Sequence, residues 1–305
     1  MRQLITKAIP LSIRNLLRPL YYALSRNKGY PIKGSIHGLT PIPSNQQQAF
    51  LSSAILGTLD FTVETDKLNV LLCAQPKSAS LYMAKLLSNA LDLVDHKIGF
   101  NNKSGYIYYP RAMAAKFAYG NTISHCHAEA TPEVIQLIKN LKLRPVILTR
   151  NLLDSLVSRK NMLAKNKWAV NILSPLAIQK FLDGTGEYQL DVTINLFADG
   201  YINFFEGWNK YRGDSELRPV YITYQEMIDD ESGLVSNVAR GLGLEIAPEK
   251  VDQVSSNIKA QGGVNFSQGV PGKGKAAFNE RQISELKRKA LMLGCTNEEF
   301  LGFQL

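Results

Sequence analysis

Residues 68–91 read LNVLLCAQPKSASLYMAKLLSNAL. The stretch opens on an almost continuous apolar run, 68–74, the mark of a strand buried on both faces. Leu81, Ala84, Leu87, Leu91 and, just beyond, Val94 then recur at helical spacing, which predicts a helix. The pattern repeats downstream. A strand at 145–149 precedes a helix through Leu153, Leu156, Val157 and Leu163. Another at 220–224 precedes Leu234, Val235, Val238, Ala239 and Leu242, with Gly243 as the helix stop. A short strand is read at 122–126. Repeated strand-helix units imply an α/β fold with a mainly parallel central sheet flanked by helices on both faces, and ligands in such sheets bind at the carboxyl ends of the strands. A helix over 195–211 carries an aromatic stripe of Tyr201, Phe204, Phe205 and Trp208, read as core with part of it able to wall a pocket.

The 305 residues carry 35 basic and 26 acidic side chains, a formal +9, which at face value suggests nucleic acid. Its distribution excludes that reading. Seven basic residues precede the first acidic one, Asp60, leaving 28 basic against 26 acidic residues in the remainder. We therefore divide the chain into a basic N-terminal arm and linker, 1–59, and an α/β domain, 60–305. Within the arm, 11–25 reads as a short amphipathic helix with Arg14 and Arg18 on its flank and a kink at Pro19. It suits packing on the parent domain, peripheral contact with an anionic membrane, or organelle targeting. No stretch reaches the length of uncharged apolar sequence a membrane span needs. Cys73, Cys126 and Cys295 form neither a metal-binding pair nor a disulfide framework, which suits a reducing, cytoplasmic setting.

Chemistry concentrates at the strand ends. After the first strand, Gln75-Pro76-Lys77-Ser78-Ala79-Ser80 leads straight into a helix N-terminus, where backbone N–H groups, the Lys77 ammonium and the Ser78 and Ser80 hydroxyls can meet a phosphate. The same residues also suit a capped helix with a solvated lysine. No glycine occurs between Thr65 and Gly99, so the long cradle of a triphosphate-binding loop is missing, and Arg150 stands where a magnesium-binding Asp would end the 145–149 strand. Arg150 can fork onto a second anion, and Asp154 and Ser158 share a face of the following helix.

These elements resemble the sulfotransferase family that uses 3′-phosphoadenosine 5′-phosphosulfate (PAPS), which has a P-loop NTPase-like fold. In that family a Pro-Lys-Ser-Gly-Thr type loop holds the 5′-phosphosulfate, and an Arg followed eight residues later by Ser holds the 3′-phosphate. Lys77, Ser78, Ala79 and Ser80 match the first, and Arg150 with Ser158 the second, at full spacing. Residues 221–227 are similar to the strand-end segment near the adenine, which sets Tyr224 there. Residues 269–275 resemble the Gly-rich loop that closes over the 3′-phosphate, which brings in Lys273, Gly274 and Lys275. The chain departs in having Ala79 for Gly, Ser80 for Thr, and no Arg-Lys-Gly triplet in the last loop.

The resemblance implies in-line sulfuryl transfer to an acceptor hydroxyl, with adenosine 3′,5′-bisphosphate as product, Lys77 stabilising the leaving nucleotide and no metal expected. A general base is needed, and histidine is the usual choice. Of His37, His96, His125 and His127, the one standing 23 residues before Arg150, as in the family, is His127. His125 is the runner-up, since residues two apart share one side of a strand. The tyrosines and amides of 99–109 suit a carbohydrate or glycolipid acceptor. An atypical nucleotide kinase and a non-catalytic nucleotide-binding or membrane-peripheral scaffold are the competing readings.

Overall fold

The computed structural model describes residues 66–95, 99–102, 105–108, 121–165, 175–262, 272 and 274–305. The basic arm, its helix at 11–25 and Lys273 lie outside them. Among the described residues the sheet has five parallel strands: β1 (Asn69–Ala74), β2 (Val94–Asp95), β5 (Thr122–Cys126), β6 (Arg144–Thr149) and β7 (Val220–Thr223), in the order β2-β5-β1-β6-β7. A separate antiparallel hairpin joins β3 (Gly99–Asn102) to β4 (Gly105–Tyr108), within the stretch read as acceptor-lining.

Helices α1 (Ser80–Ala90), α2 (Pro132–Asn140), α3 (Leu152–Lys165), α4 (Pro175–Asp183), α5 (Gly186–Asn209), α6 (Tyr224–Asp229), α7 (Glu231–Gly241), α8 (Pro248–Gln261), α9 (Glu280–Met292) and α10 (Glu298–Leu301) complete the described elements, with a 3₁₀ turn at Lys275–Ala277. Strand alternation divides β1 between two layers. Val70, Leu72 and Ala74 face α1, α7 and α8, while Leu71 and Cys73 face α2 and the end of α5, packing with Phe204 and Trp208. Both layers are closed to water, so β1 is apolar apart from Asn69, whose side chain accepts a hydrogen bond from the Thr122 hydroxyl at 2.7 Å.

The first helix forms where expected, with Leu87 buried and Ala84 and Leu91 packed against the core, but its inward face is rotated so that the two ends of the expected stripe are exposed. Tyr82, Met83, Leu86, Leu87 and Ala90 are buried; Leu81 is 67% exposed and Val94, in β2, is 63% exposed. The helix is apolar on more than one stripe, and the stripe that packs is set by its neighbours rather than by period alone. Tyr224 begins α6 instead of ending β7, because Thr223 and Glu226 form a capping box there.

The chain leaves β1 through α1 on one layer and crosses from β5 to β6 through α2 on the other. This opens a crevice beyond the carboxyl ends of β5, β1 and β6, the place where doubly wound sheets hold ligands.

Candidate active site

Gln75, fully buried at the end of β1, is the joint of the crevice. Its backbone N–H donates to the Leu148 carbonyl (2.8 Å), its side-chain oxygen accepts from the Arg150 N–H (3.1 Å), and its amide nitrogen donates to the Ser155 hydroxyl (2.9 Å). A buried amide without such partners would cost about 1–3 kcal/mol. The Ser78 hydroxyl donates to the Gln75 carbonyl at 2.6 Å, so its hydrogen shapes the loop from within.

Two residues of the loop adopt left-handed backbone conformations, Lys77 at φ 75° and Ala79 at φ 62°. For a residue with a Cβ this costs about 1–2 kcal/mol, which accounts for glycine in the resembling family's loop. Ala79 is the N-cap of α1 and supplies no side-chain cap. The opening N–H groups of the helix, with their partial positive charge, thus carry no anionic or hydroxyl cap from that position. Ser80 is the first residue of α1 and is nearly buried.

Arg150 lies across this loop. One guanidinium nitrogen donates to the Lys77 carbonyl at 2.9 Å, another stands 4.0 Å from the Asp154 carboxylate, and the group stacks 4.1 Å above the Tyr224 ring. Tyr224 is itself buried, so its ring is a floor for Arg150. The Arg150 Nε–H is buried and has no hydrogen-bond partner among the described residues. Ser158 follows two turns along α3, half-buried.

Asp154 docks the glycine-rich segment. Its carboxylate oxygens accept from the N–H groups of Gly272 (3.0 Å) and Gly274 (2.7 Å). A Cβ at Gly274 would stand 2.6 Å from the Asp154 nitrogen and 2.7 Å from the Leu153 carbonyl carbon, so only glycine lets the segment come so close. Lys275 is exposed at the start of the 3₁₀ turn. Asp154 and Gln75 carry no role in the sequence reading, although a carboxylate in the first turn of a buried helix and an amide closing an apolar strand both demand partners.

His127 stands just past β5, beside the end of β1. Its Nδ1 lies 2.6 Å from the Ala74 carbonyl. A carbonyl only accepts, so Nδ1 carries the proton and the basic lone pair is on Nε2. Burial lowers the His127 pKa from its ordinary value; the Ala74 bond opposes that, and the Arg159 and Lys77 charges reinforce it. His125, within β5 opposite Leu72, has its ring 5.1 Å from that of His127, edge to face. Lys77 is also lowered, by burial first and then by Arg159 and Arg150. Lys77 thus feels the positive charge of both arginines, and an anion beside it would relieve that repulsion.

A cleft of about 140 Å³ opens beside His127. It is walled by Pro76 and by Leu196, Phe197, Tyr201 and Phe204 of α5, with Glu129 and Arg159 as the charged residues of its lining. The aromatic stripe of α5 is therefore divided: Tyr201 and Phe204 reach the cleft, whereas Phe205 and Trp208 are core, the Trp208 indole donating to the Ala128 carbonyl at 2.9 Å.

The fold and the loop define an α/β protein whose central strand runs through a short loop, with Lys77 in it and Arg150 across it, into an uncapped helix start. A family model described as the sulfotransferase domain matches residues 67–291, and the chain belongs to that family. Two similar solved structures are a mouse sulfotransferase complexed with PAP (16% identity, 80% of this chain and 90% of that one, TM-score 0.58) and a retinol dehydratase in complex with androsterone and inactive cofactor PAP (12% identity, 85% and 88%, TM-score 0.52). At these identities the likeness is one of fold. None of the curated proteins matches the chain in sequence.

Proposed function

We propose that the protein moves a sulfuryl group from PAPS to the hydroxyl of an acceptor. The observation that carries this reading is the pairing of Lys77 and Arg150 at an uncapped helix start, with one buried Arg150 N–H still lacking a partner. A bisphosphorylated nucleotide supplies what that pair lacks. Lys77, Ser80 and the opening N–H groups of α1 hold its 5′ end, within a loop shaped by Ser78 and Ala79. Arg150, Ser158 and the segment carrying Lys273, Gly274 and Lys275 hold its 3′-phosphate, with Tyr224 beneath Arg150.

In the transfer, His127 Nε2 takes the proton of the acceptor hydroxyl as its oxygen bonds to sulfur. The bond between sulfur and the bridging oxygen breaks, and Lys77 neutralises the charge left on that oxygen. The Ala74 carbonyl keeps His127 in the tautomer this step needs, and the apolar wall of α5 excludes water that would compete with the acceptor. For the acceptor we propose a carbohydrate or glycolipid, supported by the ring faces of Phe197 and Tyr201, on which sugars stack. An acceptor screen checks this by setting glycosides beside phenols and sterols, and sulfation of sterols alone would refute it.

The test of the nucleotide site is calorimetric titration with adenosine 3′,5′-bisphosphate and with ATP plus magnesium, on the wild type and on Lys77→Ala. Micromolar binding of the bisphosphate, weakened about tenfold or more by the substitution, is expected; binding of ATP alone would return the protein to the kinase reading. Gly274→Ala is expected to weaken the bisphosphate by a similar factor, because its Cβ pushes the segment away from Asp154. Unchanged affinity would separate that segment from the nucleotide.

A further inference from the structure

Arg159 is not absorbed by the nucleotide site. Among the described residues, none that holds the nucleotide in our reading lines the cleft; from the loop only Pro76 does. Arg159 lines it from α3, one residue beyond Ser158. Its Nε–H donates to the Tyr201 hydroxyl at 2.8 Å, and its guanidinium carbon lies 4.7 Å from the Phe197 ring centroid and 5.9 Å from that of Tyr201. The group is thus clamped against the aromatic wall of α5 with its fork prearranged. Tyr201 takes one of its five N–H groups, and among the described residues no carboxylate forms an ion pair with it. Glu129 shares the cleft without pairing with it.

A half-buried guanidinium held rigid between rings, beside the general base and without a counter-anion, is incomplete until a ligand brings one. We propose that Arg159 is the acceptor-recognition residue of the cleft, and that the acceptor carries a carboxylate or equivalent oxyanion close to the hydroxyl that is sulfated. This deepens, and rests on, the sulfotransferase reading. It narrows the acceptor to an anionic carbohydrate such as a uronic-acid glycoside; because the claim concerns the oxyanion and not the sugar, a phenolic acid serves equally as a probe. The aromatic wall receives the ring of such a compound, Arg159 its oxyanion in a paired hydrogen bond, and His127 its hydroxyl.

The test uses two matched pairs in which an amide replaces the carboxylate and no hydroxyl is added: 4-nitrophenyl glucuronide with its uronamide, and 3-hydroxybenzoate with its amide. Each is assayed with saturating PAPS at pH 8, where His127, its pKa already lowered, is neutral whether or not Arg159 is present. The wild type is expected to favour the anionic member of at least one pair by about 10- to 100-fold in kcat/KM, the range of a charge-assisted pair. Arg159→Gln should erase that preference through KM for the anion, leave the neutral partner and bisphosphate affinity nearly unchanged, and Arg159→Lys should keep part of it. Equal use of both members by the wild type, refusal of all the anions, or an equal loss for both members in Arg159→Gln overturns the proposal. Failure of the sulfotransferase reading looks different: no sulfated product from any acceptor and no bisphosphate binding in either protein.

Discussion

Replacing His127 with alanine is expected to lower turnover about 100-fold or more while leaving affinity for adenosine 3′,5′-bisphosphate nearly unchanged. The split follows from position. His127 is anchored to the end of β1 by the Ala74 carbonyl and faces the cleft, and the nucleotide loop draws its shape from Gln75, Ser78 and Arg150. Deleting the imidazole removes a proton acceptor and leaves those bonds in place. The pH dependence has a definite sign. A base works when neutral, and in the free enzyme burial with the nearby Arg159 and Lys77 charges holds the His127 pKa below its ordinary value, so the acid limb of kcat/KM for PAPS should have its midpoint below that value. Arg159→Gln removes one of those charges and should move the limb upward. His125→Ala is the comparison: a larger loss there than at His127 would exchange their roles, and unchanged turnover in His127→Ala would remove it from the mechanism.

How far the sequence reaches is visible in two pairs of residues. The strand ends were legible, since apolar runs that stop at Gln75 and Arg150 mark where a buried strand leaves the sheet. Lys77 and Arg150 accordingly come together across the crevice, joined by the bond from the guanidinium to the Lys77 carbonyl. The partners of buried polar groups were not legible. Gln75 reaches Arg150 across 75 residues and Gly274 reaches Asp154 across 120, and no local pattern encodes which distant carboxylate or amide will be in register once the layers pack. The inner face of α1 was legible only in part, for a related reason. Leu81 and Tyr82 both lie on apolar stripes of helical period, and the choice between them is made by α7 and α8, whose residues close over Tyr82 and Met83. Arg159 was passed over because a charge after Ser158 reads as solvated surface until Tyr201 and Phe197, some forty residues on, are seen to enclose it.

Arg150→Ala is expected to weaken adenosine 3′,5′-bisphosphate about 100-fold or more, a factor that corresponds to about 3 kcal/mol, the upper range for a hydrogen bond to a charged partner. Arg150 does two things at once, and the experiment has to separate them. It holds the loop, through the Lys77 carbonyl, and it presents a buried Nε–H whose partner we take to be the 3′-phosphate. Measuring adenosine 5′-phosphate alongside the bisphosphate divides the two contributions, because that ligand lacks the 3′-phosphate but uses the same loop. If the assignment holds, the wild type prefers the bisphosphate strongly and Arg150→Ala loses most of that preference, the remainder belonging to Ser158 and the glycine-rich segment. If Arg150 acts only by shaping the loop, both ligands weaken by the same factor and the preference survives, which would move the 3′-phosphate to Ser158 and the glycine-rich segment. Arg150→Lys keeps the charge but loses the fork and the stack on Tyr224, so it should recover only part of the preference.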